Sequence, residues 1–123
     1  MINKYKGLVE TDVFGHTVGF KFGTAAMLQL CQILKCSLQD VVNRLDDKTD
    51  LEAQLTFYYV GACQYVRLKK SEDKEFKGEE PSFEQVCNWV DSLLPQQKEE
   101  ITETAFSQYT DPNTKAPTAA GQS

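Results

Sequence analysis

The side chains able to do chemistry are few in this 123-residue chain: one histidine, His16, and four cysteines, Cys31, Cys36, Cys63 and Cys87. A nucleophilic site would need a thiol activated by His16, which lies far from every cysteine in sequence and follows Gly15 in a stretch that reads as a turn. No two cysteines form a C-x-x-C pair, so neither a dithiol motif nor a zinc ligand set is spelled out. Cysteine on the apolar stripe of a helix behaves as a small hydrophobe, and core thiols are the expected state. The acidic run Asp46-Asp47-Lys48-Thr49-Asp50 invites a calcium reading. It fails because Leu51 stands where such a loop needs glycine and Phe57 where it needs the closing glutamate. A solvated interhelical turn is expected instead. No glycine-rich phosphate loop and no glycosylation acceptor occurs. These residues predict no catalyst, no cofactor and no metal.

The bulk properties narrow the function class further. The length fits one domain, and a core of this size needs no disulfide or metal to hold it. A net charge of −5 argues against nucleic acid, whose phosphates are bound by basic surfaces. The best basic cluster, Arg67-Leu68-Lys69-Lys70, is followed at once by Glu72, Asp73 and Glu75 and reads as a solvated charged face. No apolar run reaches the roughly 18 residues of a membrane span. Met1 to Lys6 is too polar for a secretory signal, and a cytosolic protein with no membrane partner is expected.

The elements that must position any site begin with a β-hairpin over residues 8–22. Val18, Phe20 and Phe22 alternate onto one face, and Gly15-His16 marks the reversal. Five helices then follow. Thr24 is the expected cap of the first, whose stripe is Met27, Leu30, Cys31 and Leu34. Ser37 with Asp40 opens the second, with Leu38, Val41, Val42 and Leu45 inward, and Asp50 caps the third over about residues 51–69. After a charged loop at 70–80, Ser82 and Gln85 form a capping box for the fourth, with Phe83, Val86, Cys87, Val90 and Leu94 inward. Pro95 suits the first turn of the last helix, with Ile101, Ala105 and Tyr109 as contacts. The fold class is mainly α, a small domain of about five helices with an N-terminal hairpin over residues 1–109. The segment 110–123 lacks large apolar residues and is expected to form a disordered tail.

The third helix carries two apolar stripes. Leu51, Leu55, Tyr58, Tyr59, Ala62 and Val66 form one, and Ala53, Phe57, Val60 and Leu68 lie nearly opposite. A helix apolar on two sides is either central in its own core or presents one side to a partner. With the first stripe enough to anchor the helix, Ala53, Phe57, Val60 and Leu68 are the candidate partner-binding residues. The bland alternative is that the hairpin or the last helix covers them.

The order of elements carries a resemblance. A hairpin ending Val18-Gly19-Phe20-Lys21-Phe22 runs into Thr24-Ala25-Ala26-Met27-Leu28-Gln29-Leu30-Cys31, and a long helix holds Leu55-Thr56-Phe57-Tyr58-Tyr59-Val60-Gly61-Ala62. Pro81-Ser82-Phe83-Glu84-Gln85-Val86 then leads to Trp89-Val90-Asp91, and a final helix carries Glu99-Glu100-Ile101-Thr102-Glu103. Over residues 8–109 this resembles the tail assembly chaperones of long-tailed bacteriophages and prophages. The resemblance implies a non-catalytic protein of the bacterial host cytoplasm that coats the helical tape measure protein before the tail tube polymerises around it. It further implies absence from the mature virion, with the tail tube protein and a second copy of the chain as further candidate partners. The rival reading is a structural virion protein, such as a head–tail connector or tail-terminator subunit.

Overall fold

A computed structural model describes residues 1–107. Its sheet has three antiparallel strands in chain order: β1 (Ile2–Asn3), β2 (Leu8–Val13) and β3 (His16–Lys21). The expected hairpin is β2–β3, in a register that pairs Val9 with Phe20, Thr11 with Val18 and Val13 with His16. Its reversal is the pair Phe14–Gly15, one residue earlier than Gly15-His16, and His16 is the first residue of β3. The short β1 went unnoticed because two residues show no alternation. It is held where Glu10 N–H donates to the Met1 carbonyl and the Met1 ammonium donates to the Glu10 carbonyl, 2.6 and 2.7 Å.

Five helices make up most of the rest: α1 (Thr24–Leu34), α2 (Leu38–Asp46), α3 (Leu51–Glu72), α4 (Phe83–Ser92) and α5 (Pro95–Phe106). Their starts follow the capping chemistry. Ser37 accepts from the Asp40 N–H and Asp50 from the Ala53 N–H, while Ser82 and Gln85 satisfy each other's backbone N–H. α1 departs from expectation: Gly23 takes the cap position, and Thr24 is already helical. Pro95 opens α5, where its missing N–H costs nothing, and the Leu94 N–H is satisfied by the Gln97 side chain at 2.7 Å. The expected tail and Tyr109 lie outside the described residues.

The central element is α3, which packs on β3, α1, α2 and α4, while α5 lies against β2. Alternation delivers Val18, Phe20 and Phe22 to the buried side of the hairpin. Phe22 stacks on Phe57 with ring centroids 4.6 Å apart, and Phe20 meets Tyr58 edge-on at 5.9 Å. Met27, Leu30, Leu34, Val41, Val86 and Ile101 complete the same core. None of the helices is long and apolar enough to cross a membrane, among the described residues.

Candidate partner-binding surface

Of the four residues singled out as a partner surface, three belong to the core. Ala53, Phe57 and Val60 are buried to 2% exposure or less. Phe57 stacks with two rings, Phe22 at 4.6 Å and Phe106 at 6.0 Å, both nearly parallel to it. The second stripe of α3 is therefore buried as far as Val60, with Phe22, just past the hairpin, and Phe106 of α5 covering Phe57 from within the chain. The physical reason is that residues far from α3 in sequence supply this cover, so helical periodicity could not reveal it. Leu68 is separate from the other three. It is half-buried and lines a cleft of about 250 Å³ with Lys21, Thr24, Gln64 and Arg67.

The stripe assigned above to the core is buried at Tyr58, Ala62 and Val66, and it opens to solvent at its N-terminal end. Leu51 is 65% exposed, and Leu55 and Tyr59 are half-buried. Tyr59 packs edge-on against Phe83 of α4, itself an exposed large hydrophobe, at 5.5 Å. Leu51, Leu55 and Tyr58 also line a groove of about 940 Å³ with Val90 of α4 and Pro95 of α5. Its margins are charged in both senses: Lys48, Asp91, Lys98, Glu99 and Glu103.

Polar contacts tie together the elements around this groove. At the start of α3, Arg44 donates twice to Asp50, at 2.7 and 3.0 Å, and once to Glu52 at 3.0 Å. The two from Arg44 to Asp50, followed by the one from the Ala53 N–H, hold the Asp50 carboxyl below the usual carboxylate range. Gln54 Nε2 donates to the Leu45 carbonyl at 2.7 Å, tying α3 to the end of α2. Away from the groove, Gln97 Nε2 donates to Thr11 Oγ1 at 2.7 Å and to the Asp12 carbonyl at 3.1 Å, which docks α5 on the hairpin.

The groups first considered for chemistry serve other ends. Asp47 accepts from the Thr49 N–H and hydroxyl, and Asp50 caps a helix, so the acidic run builds a turn. His16 is exposed at the edge of the hairpin turn. Cys63 is buried, and the other three cysteines are half-buried. Burial pushes the Cys63 and Cys31 thiols up, away from the reactive thiolate. Among the described residues, no group of three or more His, Cys, Asp and Glu side chains is placed to hold a metal ion.

No family model, curated protein or solved structure matches the chain. The surface therefore has to be read from its own chemistry. Sequence reasoning missed Leu51, because a helical stripe continues in periodicity past the point where the core ends. It also missed a second concavity at the hairpin tip. The available signal there was a phenylalanine directly before the turn glycine.

Proposed function

We propose that this chain is a non-catalytic binding protein that takes up an amphipathic helix, acting as a tail assembly chaperone for a tape measure protein. The observation that carries this reading is the groove between α3, α4 and α5. Leu51, Leu55, Tyr58, Val90 and Pro95 give it an apolar lining, interrupted by Gln54, Gln96 and Thr102, and charged residues of both signs share that lining. A helix laid into such a groove buries its i, i+3, i+4, i+7 stripe, while its polar flanks meet charges of either sign. Bare amphipathic helices associate through exposed apolar patches, and an acidic protein covering them keeps the pair in solution. The element order that resembles the tail assembly chaperones supports the same partner.

The test is co-expression with overlapping helical fragments of a tape measure protein. Wild-type chain should keep a fragment soluble and co-purify with it. Leu51→Asp and Leu55→Asp should lose the complex, with Leu51→Asp retaining the wild-type melting curve. Loss of solubilisation by neither variant would remove the groove from the reading. No interaction with any fragment, together with presence of the chain in purified particles, would replace the chaperone by a structural tail or connector subunit.

A further inference from the structure

The tip of the β2–β3 hairpin is a two-residue turn, Phe14–Gly15, with positive φ at both positions, 55° and 77°. That is the turn whose twist suits a hairpin, and asparagine or aspartate normally precedes the glycine in it. A bulky aromatic residue is strained there, and its ring gains nothing from the core, because Phe14 is 71% exposed. Such an outlier points to a role for the side chain itself.

Phe14 walls a pocket of about 350 Å³ between the hairpin and the segment joining α3 to α4. Three more aromatic rings converge on it from separate places: Tyr65 of α3, Phe76 of the connecting segment and Trp89 of α4. Tyr65 is fixed from two sides. Its ring lies over Gly19, where a Cβ would overlap it, and its hydroxyl donates to the Glu10 carboxylate. The connecting segment is tied to α3 where Arg67 donates twice to Glu80, at 2.9 and 3.2 Å. The charged group on the lining is Glu79, His16 also lines it, and no lysine or arginine does.

We infer that this pocket binds an arginine side chain of a partner protein, packed against the aromatic lining with Glu79 as its counter-charge. A guanidinium is planar, weakly hydrated and stacks on aromatic faces, whose quadrupole is negative toward it. One ring of the lining is already engaged in this way, with the Lys69 ammonium 5.5 Å from the centroid of Tyr65, so Phe14, Phe76 and Trp89 are the rings left for a guanidinium. The net charge of −5 supplies a long-range field of the right sign. The site shares no lining residue with the α3–α4–α5 groove and stands independently of the helix-binding reading.

Trp89 is the sole tryptophan, so its fluorescence reports occupancy directly. The probes are Nα-acetyl-arginine amide and Nα-acetyl-citrulline amide, which match in shape and differ in charge. The arginine derivative should shift the emission saturably, and the citrulline derivative should bind at least about fivefold more weakly. Glu79→Gln should weaken the arginine derivative by a similar factor and leave the citrulline derivative unchanged. Phe14→Asn should raise the melting temperature, because it relieves the turn, and abolish the shift. Equal binding of the two probes would show an apolar cavity without charge selection. No saturable shift, or full binding by Phe14→Asn, would overturn the site.

Discussion

The rings of Phe22 and Phe57 stack with their planes 12° apart, and beside them Gly61 of α3 leaves open the space that the Phe22 ring fills. One residue just past the hairpin is thus seated on two successive turns of the central helix. This contact covers the Phe57 side of α3 from within the chain.

Phe57→Ser should destabilise the domain by about 2–5 kcal/mol, since it opens a cavity beneath two stacked rings and buries a hydroxyl. Leu51→Asp, on the exposed side of the same helix, should change stability by no more than about 0.5 kcal/mol. Urea titrations of the two variants measure the contrast directly. Similar losses for both would mean that the inward side of α3 is wrongly assigned.

Gly61→Ala sets two effects against each other. Glycine within a helix costs roughly 0.5–1 kcal/mol relative to alanine, which favours the substitution. The added Cβ would overlap the Phe22 ring, and overpacking of a tight core costs about 1–3 kcal/mol. Net destabilisation is expected, and combining it with Phe22→Leu should recover part of the loss. A rise in melting temperature for Gly61→Ala alone would contradict the seating of Phe22.

Asp50→Asn keeps a helix-capping side chain and removes the charge that Arg44 holds. The folded-state pKa of Asp50 is lowered, so its contribution is present above the unfolded value of about 3.9 and is lost as pH falls through the folded value. Wild type should therefore melt higher at neutral pH, and the gap should close on acidification below about pH 4. Thermal scans from pH 7 to pH 2 check this. A gap independent of pH would assign the effect to the cap alone.

Tyr65→Phe tests the opposite sign. Burial, then the hydrogen bond to Glu10 and the charge of that carboxylate, raise the Tyr65 hydroxyl above its ordinary range. A raised folded value gives stability that is complete below about pH 10 and is lost as pH rises through the folded value. The variant should be less stable by about 1–3 kcal/mol at pH 7. Its deficit should shrink at strongly alkaline pH, read as the difference between the two proteins so that the other tyrosines cancel.

Thr104 is fully buried in α5, and its Oγ1 has no hydrogen-bond partner among the described residues. Thr104→Val keeps the shape and removes the buried hydroxyl, so the domain should gain about 1 kcal/mol. Chemical denaturation would show it as a higher midpoint at unchanged slope. A loss of stability would indicate that the hydroxyl is satisfied in solution.

Local chemistry was legible in the residues themselves. Ser37, Asp50 and the Ser82–Gln85 pair cap helices because their side chains lie within reach of backbone N–H groups three residues away. Pro95 marks a helix start for an equally local reason, and the alternation of Val18, Phe20 and Phe22 is a property of one strand. The errors at Gly23 and at Phe14–Gly15 are single-residue shifts of the same local kind.

The sequence by itself determined the fold class, the five helices, the hairpin and the residues with enough apolar surface to need cover. Only the tertiary structure decided what covers them. Phe22 and Phe106 approach Phe57 from opposite ends of the chain, so Ala53, Phe57 and Val60 turn inward, and Leu51 and Leu55 are left to line a groove. The convergence of Phe14, Tyr65, Phe76 and Trp89 is of the same kind. Periodicity reports which residues share a face, whereas burial depends on which distant face arrives there, and that is a property of the packed chain.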